Sequence, residues 1–175
     1  ILVGIDGRHR EIPALDARTV TQVAATHTDA LDPYRLPRYT LPARYEIELE
    51  PDLAGATFRG TERIEISVTG NPTELVLNAI ELEIDAVALD GEPATFRLDE
   101  TTERLFLSTG SAVPDGAHTL TIEFRGALND KLRGWYRSVY TDADGAPQII
   151  ATTQMQSTDC RRAFPCWDEP DFKAI

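Results

Sequence analysis

Gln154 and Gln156 stand two residues apart at the end of a run, Gln148 to Thr153, whose alternation reads as a β-strand. On a strand, residues i and i+2 share a face, so both amides would project the same way. Such a pair can hydrogen-bond a ligand through amide oxygen and nitrogen, or it can form an ordinary polar strand face. Spacing alone leaves both readings open. A few residues on come Cys160, the Arg161-Arg162 pair, Cys166 and Asp168-Glu169. Structural zinc sites pair cysteines about two to four residues apart and need a second pair. None is present, so Cys160 and Cys166 read as two small buried thiols. Asp168 and Glu169 are adjacent and would face opposite ways on a strand, and Pro165 and Pro170 bracket them in a rigid loop, which argues against an acid–base pair.

The remaining chemistry-bearing residues are isolated. His9, His27 and His118 have no metal-ligand partner at helical spacing, and no H-E-x-x-H occurs, so the sequence holds no self-contained zinc-hydrolase site of that kind. His118 reads as a surface strand histidine. No glycine-rich phosphate loop, no G-x-S-x-G and no Cys–His arrangement for nucleophilic catalysis is found.

Composition narrows the partners. The 175 residues are 42% hydrophobic, enough for a core, and carry a net charge of -12. That charge disfavours nucleic acid and anionic membrane surfaces, which both require surplus Lys and Arg. No apolar run approaches the ~20 residues of a membrane helix, and Asp6 interrupts the start too early for a signal-peptide core. The first residue is Ile, as expected of a processed or trimmed piece. Two cysteines are too few for a disulfide framework, so a reducing, cytoplasmic setting is expected.

The elements that must position these residues are strands. Residues 1–32 form an appendage of weak periodicity, with a short helix expected over 14–30, and Pro33 and Pro37 then suit an extended lead-in. Alternation follows over 45–50, 58–68, 75–78 and 82–89, with further strands expected over 94–98, 104–107, 118–124, 134–140 and 148–153. Asp90-Gly91 and Asp144-Gly145 mark hairpins. Many short strands punctuated by turns predict an all-β, mostly antiparallel sandwich or open sheet over 33–175.

The segment Thr152-Thr-Gln-Met-Gln, followed by Asp159-Cys-Arg-Arg-Ala-Phe-Pro-Cys-Trp-Asp-Glu-Pro-Asp-Phe-Lys173, resembles the signature that closes the N-terminal domain of the M1 zinc aminopeptidases, the aminopeptidase N family of gluzincins. Tyr34-Arg-Leu-Pro, the Pro42 to Pro51 strand, Leu77-Asn-Ala-Ile and Leu132-Arg-Gly-Trp-Tyr-Arg-Ser138 resemble it in the same order. The resemblance spans 33–175 and leaves 1–32 out. It implies a saddle-shaped β domain packed over a catalytic domain, which in the family carries G-x-M-E-N and H-E-x-x-H. Neither motif is present here, so the resemblance implies zinc bound by a catalytic domain outside this chain and none in this fragment, which alone would be inactive.

It also implies roles for two residues. Gln154 lines the pocket for the substrate's first side chain, and Gln156 helps hold the free α-amine of the peptide. Many members have glutamate at the second position, and this chain departs from them there. In the whole enzyme the implied reaction is attack of zinc-activated water on the first peptide bond, with glutamate as base. Arg161-Arg162 and Asp168-Glu169 then read as contacts across the domain boundary, without a catalytic part. The alternatives are a stand-alone β-sandwich binding module and a non-peptidase relative within the family.

Overall fold

Phe58, Ile64, Ile66 and Val68 fall at every second position of one strand, and in the computed structural model this strand buries every even-numbered residue from Phe58 to Val68. The structure describes residue 32 and residues 34–175. The helix expected over 14–30, His9 and His27 lie outside the described residues.

The strands are β1 (Thr40–Asp52), β2 (Thr57–Val68), β3 (Leu75–Asn78), β4 (Leu82–Leu89), β5 (Glu92–Pro93), β6 (Thr95–Asp99), β7 (Arg104–Ser108), β8 (Gly116–Ala127), β9 (Gly134–Thr141) and β10 (Pro147–Gln154). They form a five-stranded sheet in the order β1-β2-β8-β4-β5, a three-stranded sheet β3-β7-β6 and the hairpin β9-β10. All strand pairings are antiparallel. The fold class is all-β, as the alternation predicted.

The core draws on both larger sheets. Phe58, Ile64 and Ile66 of β2 and Leu120, Ile122 and Phe124 of β8 join Leu75–Leu77 of β3 and Leu105–Leu107 of β7 in one apolar cluster. Because β3 is buried at all four residues, it reads as a continuous apolar run rather than an alternation. The strand expected over 94–98 is β6, and the pair Glu92–Pro93 just before it belongs to the other sheet. Pro93 still pairs with β4, Thr95 already pairs with β7, and Ala94 between them donates to Val87 O at 2.9 Å. One continuous run of residues thus serves two sheets.

Pro42 lies inside β1, which is tolerable because β1 is an edge strand and its register shifts between Pro42 and Arg44. The bulge exposes Ala43 O, which accepts from Ile175 N at 3.1 Å, while Tyr45 N donates to Ile175 O at 2.8 Å. Asp90 and Gly91, with φ of 53° and 85°, make the expected hairpin between β4 and β5.

His118, expected at the surface, has only 11% of its side chain exposed. Its Nδ1 lies 2.7 Å from Asp90 Oδ2 and its Nε2 2.9 Å from Pro114 O. Only the imidazolium carries two N–H donors, so two acceptors select the charged form. The hydrogen bond to Asp90 raises His118 above its ordinary 6.5 despite some desolvation. Burial pushes the Asp90 carboxyl up, but hydrogen bonds from His118 and from Thr119 N outweigh it and hold Asp90 below 3.8. A raised histidine stabilises the fold fully below its unfolded value and loses that contribution as pH rises through its folded value. A depressed aspartate stabilises above its unfolded value and fails as pH falls through its folded one. The pair therefore stabilises most between pH 3.8 and 6.5. The expected urea midpoint falls from pH 6 towards pH 9, and His118→Gln abolishes that fall. An undiminished fall in the variant would acquit the pair.

Candidate functional site

The segment after β10 is organised around backbone bonds to β3. Asn78 N donates to Cys166 O at 2.8 Å and Cys166 N to Asn78 O at 2.9 Å, so Cys166 extends the three-stranded sheet by one bridge. Ile80 N reaches Arg161 O at 3.1 Å, and Asp168 N reaches the Asn78 side-chain oxygen at 3.3 Å. Between these anchors, Cys160–Arg162 form a single 3₁₀ turn. Trp167 is buried and its backbone N–H donates to Tyr45 Oη at 3.1 Å. Burial pushes the Tyr45 phenol far up, so it remains neutral in this role.

The two arginines of the turn splay into one acidic network. Arg161 Nε lies 3.0 Å from Asp168 Oδ2 and its Nη1 3.0 Å from Glu103 Oε2. Arg162 Nε lies 2.8 Å from Asp159 Oδ1 and its Nη1 2.8 Å from Glu81 Oε1. Glu169 receives Leu36 N and Arg35, joining the lead-in to the end of the domain. Buried Arg104 completes that join by donating to Asp32 O at 2.6 Å and Arg35 O at 2.9 Å. The charges expected to make contacts across a domain boundary are thus engaged inside this unit.

Gln154 is the last residue of β10 and pairs with Gly134 of β9. The strand ends there, so Gln156 lies in the following turn and the shared strand face expected from spacing does not extend to it. Both glutamines are exposed, and neither amide has a hydrogen-bond partner among the described residues. Their support is firm by contrast. Gly134 has φ of 65°, and a Cβ there would stand 2.7 Å from Arg162 Cβ and 3.2 Å from Asp159 O. The hairpin therefore sits directly against the 3₁₀ turn at the point where it offers Gln154. Gly134→Ala is expected to push hairpin and turn apart and to cost about 1–3 kcal/mol through strain and overpacking, read as a lower urea midpoint. An unshifted midpoint would show that the two elements are not in tight contact.

Cys160 is half-buried and Cys166 buried, and both are free thiols. Near them lies a residue that the sequence reading passed over. Glu62 is fully buried on the core face of β2, with no hydrogen bond to either carboxylate oxygen among the described residues. Its signal was parity: it shares the even-numbered register of Phe58, Ile64, Ile66 and Val68.

The profile of the peptidase M1 N-terminal domain matches residues 41–175. The chain is 43% identical over 143 residues to aminopeptidase M1-D of Oryza sativa subsp. japonica, covering 80% of this chain and 16% of that protein. It is 38% identical over 149 residues to aminopeptidase M1 of Arabidopsis thaliana, covering 80% and 17%. Alanine/arginine aminopeptidase of Saccharomyces cerevisiae is 36% identical over 149 residues, covering 79% and 17%. The chain thus spans 16–17% of the length of these relatives.

Proposed function

Since the chain belongs to the peptidase M1 N-terminal domain family, we propose that it is the substrate-facing first domain of a zinc aminopeptidase, which removes residues from peptides with a free N-terminus. Gln154 faces the substrate's first side chain and Gln156 accepts from its α-ammonium. One observation carries this reading: two exposed amides without hydrogen-bond partners among the described residues stand at the end of β10 and just past it, against a turn whose Arg161 and Arg162 are held by Asp168 and Asp159. Unpaired amides on a rigid support are prepared to bind a ligand at little ordering cost.

The residues described here do not fit the family's catalytic zinc. The sequence has no H-E-x-x-H, and His118 has both ring nitrogens engaged. In this reading the metal and the catalytic base belong to a catalytic domain against which this one packs, and the 175-residue chain alone hydrolyses no peptide. The free thiols fit a reducing compartment, the cytoplasm. Among the described residues no helix is long and apolar enough to cross a membrane.

The test is Gln156→Glu in the parent enzyme. A charge-assisted hydrogen bond is about twice as strong as a neutral one, so KM for peptides with a free α-amine is expected to fall about fivefold. An unchanged or raised KM would remove Gln156 from the amine site.

A further inference from the structure

We propose that Cys160, Cys166 and Asp168 form a binding site for one thiophilic divalent cation such as Zn²⁺, with the Glu62 carboxyl as an outer partner. One ligand atom from each of Cys160, Cys166 and Asp168 lies within 4.8 Å of the other two. Ligands about 2.3 Å from a tetrahedral zinc stand roughly 3.8 Å from one another, so small side-chain adjustments bring all three onto one ion. Asp168 spends Oδ2 on Arg161, which leaves its other oxygen for the metal and orients the carboxylate as an outer partner should.

Glu62 is the independent observation. It is 0% exposed and has no hydrogen-bond partner among the described residues, at a position of β2 where every neighbour in register is apolar or glycine. Leaving a buried carboxyl unpaired costs about 1–3 kcal/mol. Burial raises Glu62 well above the ordinary carboxylate range, and the Cys160 thiol raises it further. A divalent ion bound here would displace the thiol protons of Cys160 and Cys166, beside a carboxylate whose partner Arg161 is shared with Glu103. A water as its fourth ligand would give Glu62 the donor that it lacks.

Spacing in the sequence concealed the site. Its ligands come from the 3₁₀ turn and the segment after it, and its outer partner from a strand about a hundred residues earlier in the chain. No histidine takes part.

The test is titration of the reduced 175-residue chain with Co²⁺ under argon. The expected result is a sulfur-to-cobalt charge-transfer band in the near ultraviolet, saturating at one equivalent and displaced by Zn²⁺. Cys160→Ser alters the half-buried thiol rather than the buried one, which spares the fold; it should weaken binding at least tenfold. Glu62→Leu should also weaken binding about tenfold, while raising the thermal midpoint of the metal-free chain. Zn²⁺ should raise the midpoint of the unaltered chain and leave that of Cys160→Ser in place. A folded, reduced chain without the band would overturn the proposal, as would a band of unchanged affinity in Cys160→Ser. Unchanged affinity in Glu62→Leu would overturn the part given to Glu62.

Discussion

Gly60→Ala is expected to destabilise the domain by about 3 kcal/mol, the upper end of what overpacking a filled core costs. A Cβ at Gly60 would stand 2.3 Å from Phe124 Cζ and 2.9 Å from Leu49 Cδ2. Across the β2–β8 ladder the arrangement is reciprocal, because a Cβ at Gly126 would stand 2.5 Å from Phe58 Cζ. The register pairs Gly60 with Phe124 and Phe58 with Gly126, so each ring lies over the other strand's glycine. The rings meet edge to face, with centroids 6.5 Å apart, and are 2% and 1% exposed. Neither ring has solvent to retreat into, and β-carbons on both strands would force the ladder apart. Against a total stability of about 5–15 kcal/mol, either substitution is severe. The check is a urea midpoint for Gly60→Ala, Phe124→Leu and the double variant. The double should cost about 1–2 kcal/mol less than the sum of the singles, since the smaller side chain vacates the space that the methyl needs. Full additivity would show that the ring is not what Gly60 accommodates.

This device shows what a linear reading can and cannot reach. The alternation of Phe58 to Val68 was legible because one buried face imposes period two, and so were the two hairpins, because Asp-Gly steps supply positive φ cheaply. The exchange of rings and glycines was not, since it depends on which residue lies opposite across the ladder. For the same reason the short pairing of Glu92–Pro93 with β4 was not foreseen. Nothing local to Pro93, Ala94 and Thr95 states that their hydrogen-bond partners lie in different sheets.

The candidate site was legible in its residues but not in its geometry. Gln154 stands where a strand end was expected, whereas Gln156 lies past that end because the chain must turn to bring Asp159 N onto Met155 O and open the 3₁₀ turn. Arg161 and Arg162 were visible as a charged pair. Their partners Glu81 and Glu103 sit in distant loops, at positive φ of 57° and 53°, and no spacing rule connects them. Glu62 could have been found by parity alone, as an acid in an apolar register.

Arg161→Ala is expected to cost about 3–5 kcal/mol, the loss that follows when one partner of a buried ion pair is removed and the other is left behind. The side chains of Arg161 and Asp168 are 12% and 13% exposed, so Asp168 would keep its charge with little water to receive it. Arg38 pairs with Asp171 near the same end of the domain, but the side chains are 62% and 43% exposed. Arg38→Ala should therefore leave the midpoint nearly unchanged, and the contrast separates burial from the mere counting of ion pairs. Arg161→Lys should recover less than half of the loss. Arg161 reaches Asp168 Oδ2, Glu103 Oε2 and Asp168 O through three separate nitrogens, a fan that a single ammonium cannot reproduce. Urea midpoints of the three variants decide this, and equal losses for Arg161→Ala and Arg38→Ala would refute the argument from burial. Arg161→Ala paired with Asp168→Asn should cost less than the two losses added, because the orphaned charge is then gone. Under the proposed role of Gln156, Arg161→Ala in the parent enzyme should also raise KM more than it lowers kcat. The turn that presents Gln156 hangs from the anchor at Arg161, whereas no group of that anchor touches the scissile bond in this reading.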